Sequence, residues 1–321
     1  MNIVVLGSGA FAVPTLRWLV QSEHSIAGLI TQPAKPAGRG QRLTPTPVAE
    51  FARELQLSCD EVEEINEQGR IEWLRGLRAD LVLVIAFGQK LGREVREATR
   101  FGAINLHASL LPKYRGAAPI NWAIVNGEEK TGCTVFKTVE RMDAGAVLSS
   151  RWTLIKPEET TGELHDRLAA IGVDAVKAAL ELYESGVEPE GAPQDDAAAS
   201  KAPKLKKSDG FVRFDRTAAA ITNLVRGMTP WPGATARFCG TDGRWEKVVL
   251  VQVRRAETID KPSAAHGAID ARRYVAVKDG FLEILEIKPS SGRQMTWAEY
   301  VNGRHAKEGD RFEPFATEET G

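Results

Sequence analysis

Asn105 and His107 stand two residues apart in Ile-Asn-Leu-His, at the end of an apolar run that breaks at Pro112. Side chains on a strand alternate between faces, so both groups project the same way. The asparagine offers an amide that does not ionise. The histidine can be neutral or cationic near neutral pH. Side by side at a strand end, the two can hold an oxyanion and move a proton, which is the equipment for acyl transfer. A third group belongs with them. Asp143 stands in Arg141-Met142-Asp143-Ala144-Gly145, a turn beyond the next strand-forming stretch. If that stretch neighbours the Asn-x-His strand, its carboxylate can orient His107 and balance its charge. Singly, these residues have plainer explanations: a turn aspartate and a satisfied core histidine. An Asn-x-His pair running into a Pro-broken, Gly-rich segment is a more specific pattern than either.

Placing these groups needs a sheet. Residues 4–6, 26–31, 80–86 and 102–107 read as strands, and 80–86 is a continuous apolar run suited to the centre of a parallel sheet. Helical spacing recurs at 11–20, 48–55, 71–77, 117–126 and 162–184, with further strands at 132–140 and 146–154. The alternation predicts an α/β fold with a doubly wound, mostly parallel sheet over residues 1–188. Residues 189–207 lack clear apolar periodicity and read as a linker. Residues 208–321 hold strand-like runs at 211–214, 234–238, 247–253, 274–278 and 281–287, and one helix at 217–227. They predict a smaller, OB-like β-barrel domain.

Composition narrows the function. The 321 residues carry a net charge of −1, which hides an asymmetry. Residues 201–307 hold 20 Lys and Arg against 11 Asp and Glu, whereas residues 1–200 hold 21 against 27. A basic C-terminal part suggests a polyanion partner. No apolar run approaches a membrane span, and no signal pattern opens the chain. Cys59, Cys133 and Cys239 are odd in number and lack metal or disulfide spacing, so a cytoplasmic protein without a metal is expected. Gly7-Ser8-Gly9-Ala10-Phe11-Ala12 fits a dinucleotide-binding turn, and the Arg-bearing loop after residue 31 would suit NADP. The second strand ends at Thr31-Gln32 without the acidic residue that grips a ribose. A tight strand-to-helix turn is therefore the preferred reading.

Between the Asn-x-His pair and Asp143 lies Ser109-Leu110-Leu111-Pro112. With this loop the chain resembles the folate-dependent formyltransferase family. Three stretches resemble its tRNA-formylating branch: Thr31-Gln32-Pro33 through Pro36-Ala37-Gly38-Arg39-Gly40, Tyr114-Arg115-Gly116-Ala117-Ala118-Pro119-Ile120, and Pro230-Trp231-Pro232-Gly233-Ala234. Gly7-Ser8-Gly9 and Gly92 depart from the family pattern at positions without catalytic chemistry.

The resemblance implies a formyltransferase core and a reaction. The formyl group of 10-formyltetrahydrofolate passes to the α-amine of methionine on initiator tRNA, for translation initiation. Asn105, His107 and Asp143 would be catalytic. Ser109, Leu110, Leu111 and Pro112 would line the folate site with the backbone near Ala86, Phe87 and Gly88. A cis Leu111–Pro112 bond is expected there. Lys35, Arg39 and Arg42 in the inserted basic loop, and Lys204, Lys206 and Lys207 further on, would contact tRNA. Residues 32–47 are poor in apolar groups and are expected to order on binding. A monomer without metal is expected. Two alternatives stay open: a formyltransferase acting on a sugar-nucleotide or ribonucleotide amine, and an NADP-dependent oxidoreductase. A non-catalytic RNA-binding module is a third, opposed by the intact polar trio.

Overall fold

The strand and helix alternation of the first two hundred residues closes into one seven-stranded sheet. The computed structural model describes residues 1–37, 40, 42–257 and 262–315. The sheet order is Val147–Leu154, Lys130–Lys137, Ala103–His107, Leu81–Ile85, Asn2–Gly7, Ser25–Thr31, Asp60–Glu61. The last five strands pair parallel. Lys130–Lys137 runs antiparallel to Ala103–His107, and Val147–Leu154 antiparallel to Lys130–Lys137. Leu81–Ile85 is buried at all five positions, which its unbroken apolar sequence requires. On one face Val4, Leu6, Val82 and Val84 pack with Ile71 and Leu74 of the helix Gln68–Gly76. Each such side chain contributes roughly 1.5–3 kcal/mol by leaving water. Strand order reverses between Asn2–Gly7 and Leu81–Ile85, the switch point at whose carboxyl ends α/β sheets bind ligands.

The chain divides into two compact units. One comprises Met1–Pro119, Lys130–Leu154 and His165–Pro203; the other comprises Ile120–Glu129, Ile155–Leu164 and the chain from Lys204 onward. In the second unit the antiparallel order is Val275–Val277, Gly280–Pro289, Trp245–Arg255, Ala234–Cys239, Arg311–Glu313, with Met295–Thr296 paired to Gly280–Pro289. Single bridges Ile269↔Val275 and Ala268↔Arg311 join the two outer strands, so the sheet is nearly closed. Its interior holds Ile221, Val225, Phe238, Leu250, Ile284 and Phe312. The expected architecture, a mostly parallel α/β sheet plus a small antiparallel barrel, is the one found.

Three local expectations are corrected. Residues 211–214 make one bridge, Phe211↔Thr235, and no strand, because the chain turns at Arg216, whose N–H donates to Arg213. The second unit has an additional helix, Trp297–Arg304, capped reciprocally: Glu299 N–H donates to Thr296 Oγ1 and Thr296 N–H to Glu299 Oε2. That capping box is visible in the sequence as Thr-x-x-Glu. The loop after residue 31 is not shapeless either. Lys35–Ala37 and Arg42–Thr44 pair as a small antiparallel ladder, a local structure that needs no apolar core.

Candidate active site

The strand Ala103–His107 lies between Leu81–Ile85 and Lys130–Lys137, with Asn105 opposite Phe136 and His107 opposite Thr134. Period-two alternation puts Asn105 and His107 on one face at the carboxyl end of the strand. His107 is buried and meets the Phe136 ring edge-on, at 6.4 Å between centroids. Asn105 is half-buried, and among the described residues its side-chain amide makes no hydrogen bond. The structure thus leaves this amide free for a ligand.

His107 is held through one ring nitrogen and faces a carboxylate with the other. Nε2 lies 2.8 Å from the carbonyl of Tyr114. A carbonyl only accepts, so Nε2 carries the hydrogen and donates it. In the neutral ring, Nδ1 is then the basic nitrogen. It faces Asp143 Oδ2 at 3.8 Å. This is longer than a hydrogen bond. The same Asp143 oxygen accepts the N–H of Gly116 at 2.8 Å. Asp143 adopts a left-handed φ of 52°, and Tyr114 one of 61°, so both turns are bent to present these groups. The pairing of Asp143 with His107 that the sequence suggested is present.

Gly116 has φ of 128°, and a Cβ there would lie 2.4 Å from the Ala202 carbonyl oxygen. Only glycine lets the chain approach this closely while its amide reaches Asp143. Gly116→Ala is therefore expected to lower stability by about 2–4 kcal/mol, read from denaturant unfolding.

The loop after His107 is pinned to the neighbouring strand. Thr134 Oγ1 donates to the Ser109 carbonyl at 2.7 Å and accepts the Leu111 N–H at 3.1 Å. Ser109 is fully buried, and its hydroxyl donates to the Lys113 carbonyl. Leu110, Leu111 and Pro112 are half-buried, and the Leu111–Pro112 peptide is cis, as expected. Beyond the end of Leu81–Ile85, Ala86 and Gly88 have φ of 47° and 82°. The Phe87 side chain lies in the core, and its carbonyl accepts from Gln32 Nε2 and Ser8 Oγ.

The glycine turn at residues 7–9 is explained by the same contacts. Ser8 and Gly9 donate their N–H groups to the Ala86 carbonyl, at 3.3 and 3.1 Å. A dinucleotide pyrophosphate would need such amides free. Burial pushes the thiols of Cys59 and Cys239 up to about 11 and that of Cys133 up to about 12, so none is prepared as a nucleophile.

The basic residues are surface groups. Lys35 and Arg42 are exposed on the small ladder, with Lys35 Nζ donating to Gln32 Oε1. Arg39 lies outside the described residues. Lys204, Lys206 and Lys207 are exposed, and among the described residues they form no ion pair.

Sequence reasoning missed the residues that hold the trio. Tyr114, Arg115 and Gly116 lie in a stretch already singled out, but their contacts were not legible. Gln194 and Ser200 gave no signal in an Ala-, Pro- and Asp-rich stretch. Arg115 is buried and spreads its guanidinium over Gln194 Oε1 and Asp196 Oδ1. Its hydrogen bond, followed by that of Arg141, holds the Asp196 carboxyl below the usual carboxylate range.

A strand that ends in an amide and an imidazole, with a carboxylate facing the imidazole, can hold an oxyanion and move a proton, as acyl transfer requires. Comparison with known proteins narrows the group. Residues 1–180 match the formyl transferase family, and residues 204–305 match the formyl transferase C-terminal domain. The chain belongs to the formyl transferase family. It is 40% identical over 315 residues to a methionyl-tRNA formyltransferase of Solibacter usitatus, covering 97% of this chain and 98% of that one. It is 39% identical over 319 residues to a protein of the same name from Halothermothrix orenii, covering 97% and 100%. Among solved structures, HypX from Aquifex aeolicus in complex with tetrahydrofolic acid aligns with a TM-score of 0.64 at 18% identity, over 96% of this chain and 48% of that one. The sugar 3N-formyl transferase WlaRD aligns at 0.62 and 17% identity, over 91% and 99%. These two structures share the fold.

Proposed function

We propose that this enzyme transfers the formyl group of 10-formyltetrahydrofolate to the α-amine of methionyl initiator tRNA. The observation that carries the reading is the placement of Asp143 Oδ2 3.8 Å from Nδ1 of a His107 ring whose other nitrogen is tied to Tyr114. The substrate class is supported by the near full-length likeness to proteins named methionyl-tRNA formyltransferase. Residues 1–188 would be the catalytic domain, 189–207 the connection, and 208–321 the tRNA-binding domain.

The folate would enter the crevice at the carboxyl ends of the central strands, where α/β sheets bind ligands. Leu110, Leu111 and Pro112 would offer apolar surface to the flat pterin, with the backbone at 86–88 opposite. Ser109 would act by shaping this loop. The amine attacks the formyl carbon, and the carbonyl oxygen becomes an oxyanion. Asn105 and the imidazolium form of His107 would stabilise it, with Asp143 balancing the imidazolium charge. Collapse breaks the bond between the formyl carbon and N10. The amine proton leaves through water held by Asp143, and N10 gains a proton. Lys35, Arg39, Arg42, Lys204, Lys206 and Lys207 would contact tRNA phosphates. A monomer suffices for all of these roles.

Binding measured against salt separates this reading from a formyltransferase for a small amine. Affinity for initiator tRNA should fall steeply with ionic strength, about tenfold or more between 50 and 200 mM salt, while a neutral small amine would change little. Changing Lys204, Lys206 and Lys207 together to Gln should weaken tRNA binding and flatten that slope, leaving folate binding unchanged. A salt-independent tRNA affinity would count against the tRNA reading.

A further inference from the structure

We propose that Gln194 is a positioning residue for formyl transfer, holding the Asp143 turn from a segment that carries no reacting group. The inference rests on the catalytic roles given to His107 and Asp143 above. Gln194 is half-buried, and its carboxamide is fully engaged. Nε2 donates to the main-chain carbonyls of Asp143 and Gly145, at 2.9 and 2.8 Å. Oε1 accepts from Arg115 Nε and Nη2, at 3.1 and 2.8 Å. This orientation is dictated by chemistry. Two carbonyls require donors, and a guanidinium requires an acceptor, so a flipped amide would face like groups. Neither Glu nor Met supplies both.

The contacts form a circuit around Asp143. Gln194 grips its main chain. The Gly116 N–H grips its carboxylate. Arg115, next to Gly116, grips Gln194. A displacement of the 143–145 turn must therefore break bonds at Gln194, while the distance from Asp143 to His107 has no direct hydrogen bond to fix it. The same segment reaches the other side of the imidazole. Ser200 Oγ accepts the Tyr114 N–H, and the Ser200 carbonyl accepts the Arg115 N–H, both at 2.9 Å. Those bonds aim the Tyr114 carbonyl at His107 Nε2. Residues 194–200 thus fix both partners of the ring.

The test is a double-mutant cycle on the full chain with Gln194→Met and Asp143→Ala, assayed with 10-formyltetrahydrofolate and methionyl initiator tRNA. Gln194→Met should lower kcat about 10–100-fold with both KM values within about twofold, because a misplaced group costs rate more than binding. In the Asp143→Ala background the same change should alter kcat less than about twofold. An undiminished kcat, or an equal fall in both backgrounds, overturns the proposal. Gln194→Glu, which retains the Arg115 pair but turns an oxygen toward two carbonyls, serves if Gln194→Met does not fold, with the same expectations. Nitrogen-15 spectra of the His107 ring provide a readout independent of turnover: Gln194→Met should move the Nδ1 resonance, and an unmoved one contradicts the inference. Should the wild-type chain fail to formylate tRNA, the substrate reading falls, and this spectrum still decides the positioning role.

Discussion

Replacing His107 by alanine should leave a folded protein whose kcat is lower by at least about 10³-fold, since in the proposed mechanism its imidazolium stabilises the oxyanion beside Asp143. The ring is buried against Phe136, and its Nε2–H is the partner of the Tyr114 carbonyl. Removing it deletes that hydrogen bond and the ring's packing and should cost about 1–3 kcal/mol of stability, too little to unfold a domain of this size. Formyl-methionine formed per enzyme in a single turnover, with circular dichroism as the control on folding, measures the effect. A folded variant with near-wild-type turnover would refute the role given to the imidazole.

Asn105→Ala should lower kcat by about 10²–10³, the usual consequence of losing one oxyanion donor. Its effect on stability should be small, because among the described residues the amide bonds to nothing in the free protein. That contrast is diagnostic. A donor reserved for the transition state is lost from kcat, whereas a structural amide is lost from the melting temperature. The His107 and Asn105 variants combined should fall well short of the product of their separate effects, as groups acting on one oxyanion do. Steady-state kinetics of the two single variants and the double variant check this.

The sheet was legible because its signals are local. The unbroken apolar run at 81–85 marks a strand buried on both faces, and helical spacing marks the layers between strands. The short strands Asp60–Glu61 and Arg311–Glu313 were not foreseen: they are held by a neighbour's ladder and carry no apolar alternation of their own. The closeness of the proposed trio was legible for a different reason. Asn105 and His107 are neighbours by strand periodicity, and Asp143 follows the strand that pairs with theirs. What the sequence could not expose is the support. Gln194 meets Asp143 across 51 residues and Arg115 across 79, through bonds made by side-chain atoms of ordinary type. No spacing rule connects such positions, and only the folded chain brings them together. The basic loop was legible in composition, yet its short ladder arises from backbone pairing that composition does not encode.

The chemistry assigned to one crevice can be read out in a single incubation. The full chain, methionyl initiator tRNA and formyl-labelled 10-formyltetrahydrofolate are mixed without added metal, and label on the methionine is scored alongside release of tetrahydrofolate. Stoichiometric appearance of both products, abolished by His107→Ala, is the expected result. Label that stays on the folate with charged tRNA present in excess, or transfer that survives without the imidazole, would contradict it.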